Sequence, residues 1–209
     1  VLASFARGAW IGVFAAVLAV ALITRARSLM IALGAGLLAG LVSLPFVKID
    51  RILSIFDFST QDNTTVARKE IWTAALKIIR DHPITGIGQD QFIYQDPKYG
   101  VPQARLFTTS HPHNFLLDFW LRLGLPGLAW ILAALGLFFY GAIKLWRGHK
   151  GTAVGALILG LIASMVDFAV HGLLDMAYFT MDLALTFWLT MGILAVLRRI
   201  LAPQQQKPN

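Results

Sequence analysis

His111-Pro112-His113-Asn114 sets two imidazoles two residues apart, immediately ahead of the apolar run that opens at Phe115. A neutral imidazole accepts a proton from a hydroxyl near pH 7, so a histidine where a polar loop meets an apolar span suits activation of a hydroxyl nucleophile. The same position suits a structural role, with His113 capping the following helix beside Asn114. His-x-His also invites a metal, but two ligands without a third do not make a site, and no metal is expected. Two arginines stand where a cation needs a reason. Arg7, in Ser4-Phe5-Ala6-Arg7-Gly8-Ala9-Trp10, lies at the edge of the first apolar run, where a guanidinium snorkels, pairs or holds a ligand. Arg68 falls in the first turn of a helical pattern, where the dipole disfavours a cation unless an anion is held jointly with the free N–H groups. Otherwise it is a solvated residue paired with Glu70 or Asp62. Two guanidinium groups able to grip a diphosphate and one imidazole able to act as base fit a group transfer from a lipid diphosphate to a sugar hydroxyl.

A second set of polar residues lies around these. Asp118 and Arg122 are four apart, so they share a helix face and can pair, either as an orienting pair for the His113 loop or as a plain interfacial salt bridge. Asp167, His171 and Asp175 recur at i, i+4 and i+8 near the end of an apolar run, where they line an acceptor cavity or reach the headgroups.

The elements that must position these groups are membrane helices. The 209 residues are 57% hydrophobic and only 14% charged, with a mean hydropathy of +0.67, against roughly 25% charged in an average soluble domain. Five apolar runs approach the about 20 residues needed to cross a bilayer, near 8–24, 29–47, 123–143, 152–171 and 178–197. The expected fold is all-α, a polytopic transmembrane helix bundle with a long extracytoplasmic loop containing an amphipathic helix. Two transmembrane helices occupy 1–47, the loop 48–113, three transmembrane helices 114–200 and a cytoplasmic tail 201–209. Val1 in place of Met, with an apolar run following at once, reads as a fragment of a longer chain. Without cysteine, disulfide and thiolate chemistry are excluded.

The net charge of +7 comes without a basic run interleaved with aromatics, so no nucleic acid is expected as partner. The cations cluster instead at span ends: Arg25 and Arg27; Lys144, Arg147 and Lys150; Arg198, Arg199 and Lys207, with no acid in any of these stretches. The positive-inside rule places them in the cytoplasm and the long loop outside. Within that loop, residues 65–80 carry an apolar stripe of Ile71, Trp72, Ala75, Leu76 and Ile79 opposite Lys69, Thr73, Lys77 and Arg80. Asn63, Thr64 or Thr65 can cap its start, His82-Pro83 ends it and Gly86-Ile87-Gly88 turns the chain. Such a helix lies on the membrane surface or covers the bundle. Gly34-Ala35-Gly36 with Gly40 suits close helix packing in the second span.

At these residues the sequence resembles the O-antigen ligase and O-antigen polymerase superfamily of bacterial envelope proteins. Three pieces carry the resemblance: Ser4 to Trp10; Arg68-Lys69-Glu70-Ile71-Trp72 with Ala75-Leu76, followed by His82-Pro83-Ile84-Thr85-Gly86-Ile87-Gly88 and Phe92; and His113-Asn114-Phe115-Leu116-Leu117 followed by Gly124-Leu125-Pro126-Gly127. It runs through about residues 4 to 195, and relatives have roughly twice as many spans. It implies an inverting, metal-independent glycosyl transfer, with no cofactor, on the outer face of the bacterial inner membrane. The partners implied are a polyprenyl-diphosphate-linked glycan donor, a glycan, lipid A-core or protein acceptor, and membrane lipids. His113 matches the histidine that activates the acceptor hydroxyl, and Arg7 and Arg68 match arginines that engage the diphosphate. Asn114, Asp118, Arg122, His171 and Asp175 are expected around them, and no family role attaches to His111. Ser-Phe-Ala-Arg stands where relatives often place Ser directly before Arg.

Two other classes compete. A membrane solute or anion transporter needs charges or broken helices near the bilayer midplane, whereas polar groups here gather at one rim, Asp167 being the closest to an exception. A non-catalytic scaffold would leave His113, Arg7 and Arg68 replaceable.

Overall fold

A computed structural model of the chain describes residues 7–43, 64–99, 111–174 and 181–202. Ser4 to Ala6, the 48–63 segment with Asn63, residues 100–110, Asp175 and the 203–209 tail lie outside the described residues. Apolar sequence without strand-like alternation winds into α1 (Arg7–Thr24) and α2 (Arg27–Ser43), and an amphipathic stretch forms α3 (Thr64–Asp81). A short α4 (Phe92–Gln95) runs into a 3-10 turn at Asp96–Tyr99. Then come α5 (Phe115–Gly148), α6 (Ala153–Gly172) and α7 (Met181–Ile200). No strand occurs among the described residues. Phe115–Gly148, Ala153–Gly172 and Leu183–Ile200 are long and apolar enough to cross a membrane, and Gly8–Thr24 and Arg27–Leu38 are shorter apolar helices. The protein is an all-α membrane helix bundle.

Helices α5, α6 and α7 share one core, in which Ile131, Leu135 and Phe138 of α5 meet Ile158, Ile162 and Met165 of α6 and Phe187 and Leu194 of α7. Helix α1 packs along α6. Gly8, Gly12 and Ala16 recur every four residues and form one narrow stripe, and a Cβ added at Gly12 would collide with the Asp167 carboxylate. Small residues matter here because lipid is as apolar as Leu, so association rests on close van der Waals contact. The stripe expected to do this, Gly34-Ala35-Gly36 in α2, has no such partner among the described residues, since a Cβ added at Gly34 or Gly36 would meet nothing within 4 Å. Only the helical backbone of Gly40 is described.

Helix α3 covers the end of the bundle rather than extending it. Ile71, Ala75, Ile78 and Ile79 pack with Phe92 of α4 and Leu121 of α5, against Trp72, Leu117 and Trp120. Leu76, placed in this stripe by the sequence, is exposed, while Ala74 and Ile78 are buried. At 3.6 residues per turn Leu76 lies about 140° round the helix from Ile71, outside the buried arc. Beyond α3, the Tyr99 hydroxyl donates to Asp81 Oδ2 at 2.7 Å, and this bond holds the phenol above its ordinary range.

The chain leaving α3 docks on a break in α5. Gly124 has φ 68 and ψ −164, which interrupts the helix, and Pro126 has no N–H to continue the ladder. The orphaned groups find partners in the 83–87 turn: Leu125 N–H donates to the Pro83 carbonyl (3.1 Å), and the Leu121 carbonyl accepts from Ile87 N–H (2.7 Å). Both sides are glycine. A Cβ on Gly124 would collide with the Ile84 carbonyl, and one on Gly86 (φ 67) would lie 2.6 Å from Gly124 N. The Trp120 indole adds a bond to the Pro83 carbonyl at 2.8 Å.

Candidate functional site

Residues 111–114 lead into α5, and neighbouring elements tie them down from different sides. From α3, Trp72 Nε1 donates to the Pro112 carbonyl at 2.8 Å. Asn114 caps α5 from an extended backbone, its Oδ1 accepting from the N–H groups of Leu116 (3.0 Å) and Leu117 (3.2 Å). Its other end is also used, because Nδ2 donates to the Leu173 carbonyl just past α6 at 3.1 Å. That end of α6 is covered by α1: a Cβ at Gly8 would lie 2.8 Å from His171 Cδ2 and 3.6 Å from Leu174 Cβ. Helices α1, α3, α5 and α6 thus meet at one rim, around the Pro112-His113-Asn114 link.

His113 sits in this link with φ +50. Left-handed backbone disfavours an L-residue by roughly 1–2 kcal/mol, so a histidine persists there only if its surroundings fix it. The cap is Asn114, which leaves the half-buried His113 imidazole outside the helix. Its ring centroid lies 4.3 Å from that of His111, the planes tilted by 58°. Asp118, one turn into α5, is within electrostatic reach of His113.

The expected Asp118–Arg122 pair is present and buried. Arg122 Nε donates to Asp118 Oδ1 at 2.8 Å, and its NH1 reaches Asp90 Oδ1 at 2.5 Å. Asp118 is 2% exposed, and its Oδ2 is buried without a hydrogen-bond partner. The guanidinium therefore bolts the α5 head to the 83–90 turn beneath the rim. Asp90 was not singled out by its sequence context. Its signal is a short polar residue after two glycines, Gly86 and Gly88, and it adopts φ 56, a conformation Asp tolerates.

Arg68 lies half-buried on α3 one turn before Trp72. Spacing of four puts both on one helix face, the face whose indole touches Pro112. Arg7 opens α1 next to Gly8, so its backbone stands beside the His171 turn, while its side chain lies outside the described residues. Asp167 and His171 face α1 together, with Asp167 Oδ1 buried, lacking a hydrogen-bond partner, against Gly12. Asp175, the third residue of that expected stripe, lies outside the described residues. Among the described residues no group of three or more His, Asp or Glu is placed to hold a metal ion. The rim offers an oriented imidazole, a buried carboxylate–guanidinium clamp, and two helices that carry an arginine near their N-terminal ends, Arg7 and Arg68. Such a set can take a proton from a hydroxyl and neutralise an anionic leaving group.

The family model described as O-Antigen ligase matches residues 1–132. The match takes in Arg7, Arg68, His113 and the Gly124 break, and leaves α6, α7 and the rest of α5 outside it. No match was found among curated proteins.

Proposed function

The chain belongs to the O-antigen ligase family, and from that membership we propose that it is a membrane glycosyltransferase that moves a glycan from a polyprenyl-diphosphate carrier to an acceptor hydroxyl. The observation that carries this reading is the convergence of α1, α3 and α6 on the His113 link, made by the Trp72–Pro112 and Asn114–Leu173 bonds and by Gly8 against His171. His113 takes the proton of the acceptor hydroxyl as its oxygen attacks the anomeric carbon. The bond from that carbon to the diphosphate oxygen breaks, and the electron pair leaves with the carrier diphosphate. Attack opposite the leaving group inverts the anomeric centre. Arg7 and Arg68 bind the diphosphate and stabilise the charge growing on the leaving oxygen, which lowers the barrier more than it tightens binding. No metal is assigned a step. The rim faces outward from the bacterial inner membrane and the short basic turns face the cytoplasm, in keeping with the positive-inside rule. The acceptor is a lipid A-core, a growing glycan or a protein hydroxyl.

Transport is the competing reading, and Asp167 is the residue that favours it. It lies in the rim-side half of α6 (Ala153–Gly172), about as far from the middle of the helix as from its rim end, and is the only acid in that helix, whereas a pathway uses several charges or a broken helix near the midplane. The test is glycan transfer in membranes that contain the lipid-linked donor and candidate acceptors, with His113→Ala at matched protein level and a chelator arm. Loss of product in His113→Ala, with chelator harmless, is expected. Full transfer by His113→Ala removes it as the base, and no transfer by the unmodified protein with any donor moves the assignment to transport.

A further inference from the structure

At the end of the bundle opposite His113, α1 ends, α5 ends and α6 begins around a cleft of about 760 Å³. Its floor is apolar, from Leu22, Ile143 and Leu159, and its edge carries Arg25, Arg147 and Lys150. Lys150 Nζ lies 4.9 Å from the centroid of the Trp146 ring. Among the described residues no Asp or Glu lines the cleft, and none occurs in residues 24–28, 144–151 or 198–209. The three cations therefore share a cleft with no carboxylate to answer them.

Arg25 supplies an independent observation. Ala26 N–H donates to the Ala21 carbonyl at 3.1 Å, closing the six-residue turn that ends many helices. The residue inside that turn takes left-handed backbone and is usually glycine; here it is Arg25, with φ 55. Glycine would fit this turn without strain, so the backbone does not account for an arginine there. Its place in the lining of the cleft does. Helix C-terminal dipoles also favour cations at the ends of α1 and α5, but a dipole asks for neither a left-handed arginine nor an apolar floor beside it.

We propose that this cleft binds the headgroup of an anionic phospholipid, its phosphate held by Arg25, Arg147 and Lys150 and its first acyl carbons resting on Leu22, Ile143 and Leu159. A basic pocket between membrane helices suits such a headgroup, and the apolar floor selects a lipid over a soluble anion. The site is separate from the rim and anchors the seam between α1, α5 and α6.

The test is titration of the detergent-solubilised protein with phosphatidylglycerol, phosphatidylcholine and inorganic phosphate, reading bound lipid by native mass spectrometry. Phosphatidylglycerol is expected to bind more tightly than phosphatidylcholine, with about a fivefold loss for each cation removed in Arg25→Gly, Arg147→Gln and Lys150→Gln. Arg25→Gly is the informative variant because it relaxes the turn, so its thermal midpoint should hold or rise while the lipid preference falls. Arg199→Gln, at the same end but outside the cleft, should change affinity by less than about twofold. Equal binding of the two lipids, or a preference that survives Arg25→Gly combined with Arg147→Gln, overturns the proposal. So does an Arg199→Gln effect as large as that of Arg25→Gly, which would mark diffuse surface charge. Displacement of the lipid by millimolar inorganic phosphate also overturns it, in favour of a soluble anion.

Discussion

Asn114 and Leu173 are joined by one hydrogen bond of 3.1 Å from the amide Nδ2 to the carbonyl oxygen, so the cap of α5 is also the tether to α6. The two jobs use different atoms and can be separated. Asn114→Asp keeps an oxygen for the Leu116 and Leu117 amides but has no donor for Leu173; Asn114→Ala loses both. The thermal midpoint of Asn114→Asp should stay near that of the unmodified protein, while Asn114→Ala should lose about 1 kcal/mol. Transfer should fall in both, by roughly 10- to 100-fold if the tether fixes His113 relative to α6. Unchanged transfer by Asn114→Asp would mean that the tether does not position the link.

The left-handed backbone of His113 allows a sharper variant than alanine. His113→Gly removes the imidazole while relaxing φ +50, so the protein should be as stable as before or more so, by up to about 1 kcal/mol. Transfer should nonetheless drop by about 10²- to 10⁴-fold, the usual worth of a general base. Added imidazole should recover part of the rate in His113→Gly and none in an Arg68→Ala variant. A stable His113→Gly that transfers normally would take proton removal away from this residue.

Much of the fold is legible because its signals are local. Apolar runs of membrane-spanning length fix the helical class, and Pro83 with Gly86 ends α3 where the sequence says it must. The Asp118–Arg122 pair follows from spacing alone, since residues four apart on a helix are neighbours. Asp90 completes that cluster from 32 residues away, and no periodicity records such a distance. The docking of the 83–87 turn on the α5 break is equally hidden, because its bonds join backbone to backbone and only the glycines betray it. The sequence points to a small-residue stripe on α2, where a Cβ at Gly34 or Gly36 meets nothing among the described residues, whereas the close packing falls on Gly8, Gly12 and Ala16 of α1. A stripe says that a helix can pack closely, and the partner decides whether it does. For the candidate site, His113-Asn114 stands out by residue type, but that Asn114 rather than His113 would cap α5 depends on a dihedral.

Arg122 ties two carboxylates of very different exposure, Asp118 at 3% and Asp90 at 69% of the side chain. The two contacts should therefore differ in worth. Asp90→Asn is expected to destabilise by less than about 1 kcal/mol, because water replaces an exposed partner. Arg122→Met should cost roughly 3–5 kcal/mol, because it strands the buried Asp118 charge, and Asp118→Leu added to Arg122→Met should recover most of that loss. Thermal unfolding of the four proteins in one detergent reads the order directly. Equal losses from Asp90→Asn and Arg122→Met would place the weight of the cluster on the exposed contact.

Gly124 and Gly86 face each other across the docked turn, and two other positions calibrate what a methyl group there should do. At Gly136, in regular helix with nothing within 4 Å, Gly→Ala should be neutral or stabilising by up to about 1 kcal/mol, since alanine is the better helix former. Gly88 has φ 94, with Gln91 Cγ 3.4 Å from the added carbon, so only the backbone objects, by about 1 kcal/mol. At Gly124 and Gly86 the added carbon meets main chain, which cannot swing aside as a side chain does. Overpacking then adds about 1–3 kcal/mol to the dihedral strain. Gly124→Ala and Gly86→Ala should be the worst of the set and should make the 83–90 turn sensitive to protease, since Pro83 and Ile87 lose their partners on α5. Because that turn carries Asp90 to Arg122, both variants should also lower transfer more than Gly88→Ala does. If Gly124→Ala melts no lower than Gly88→Ala, the turn is not held on the α5 break in the folded protein.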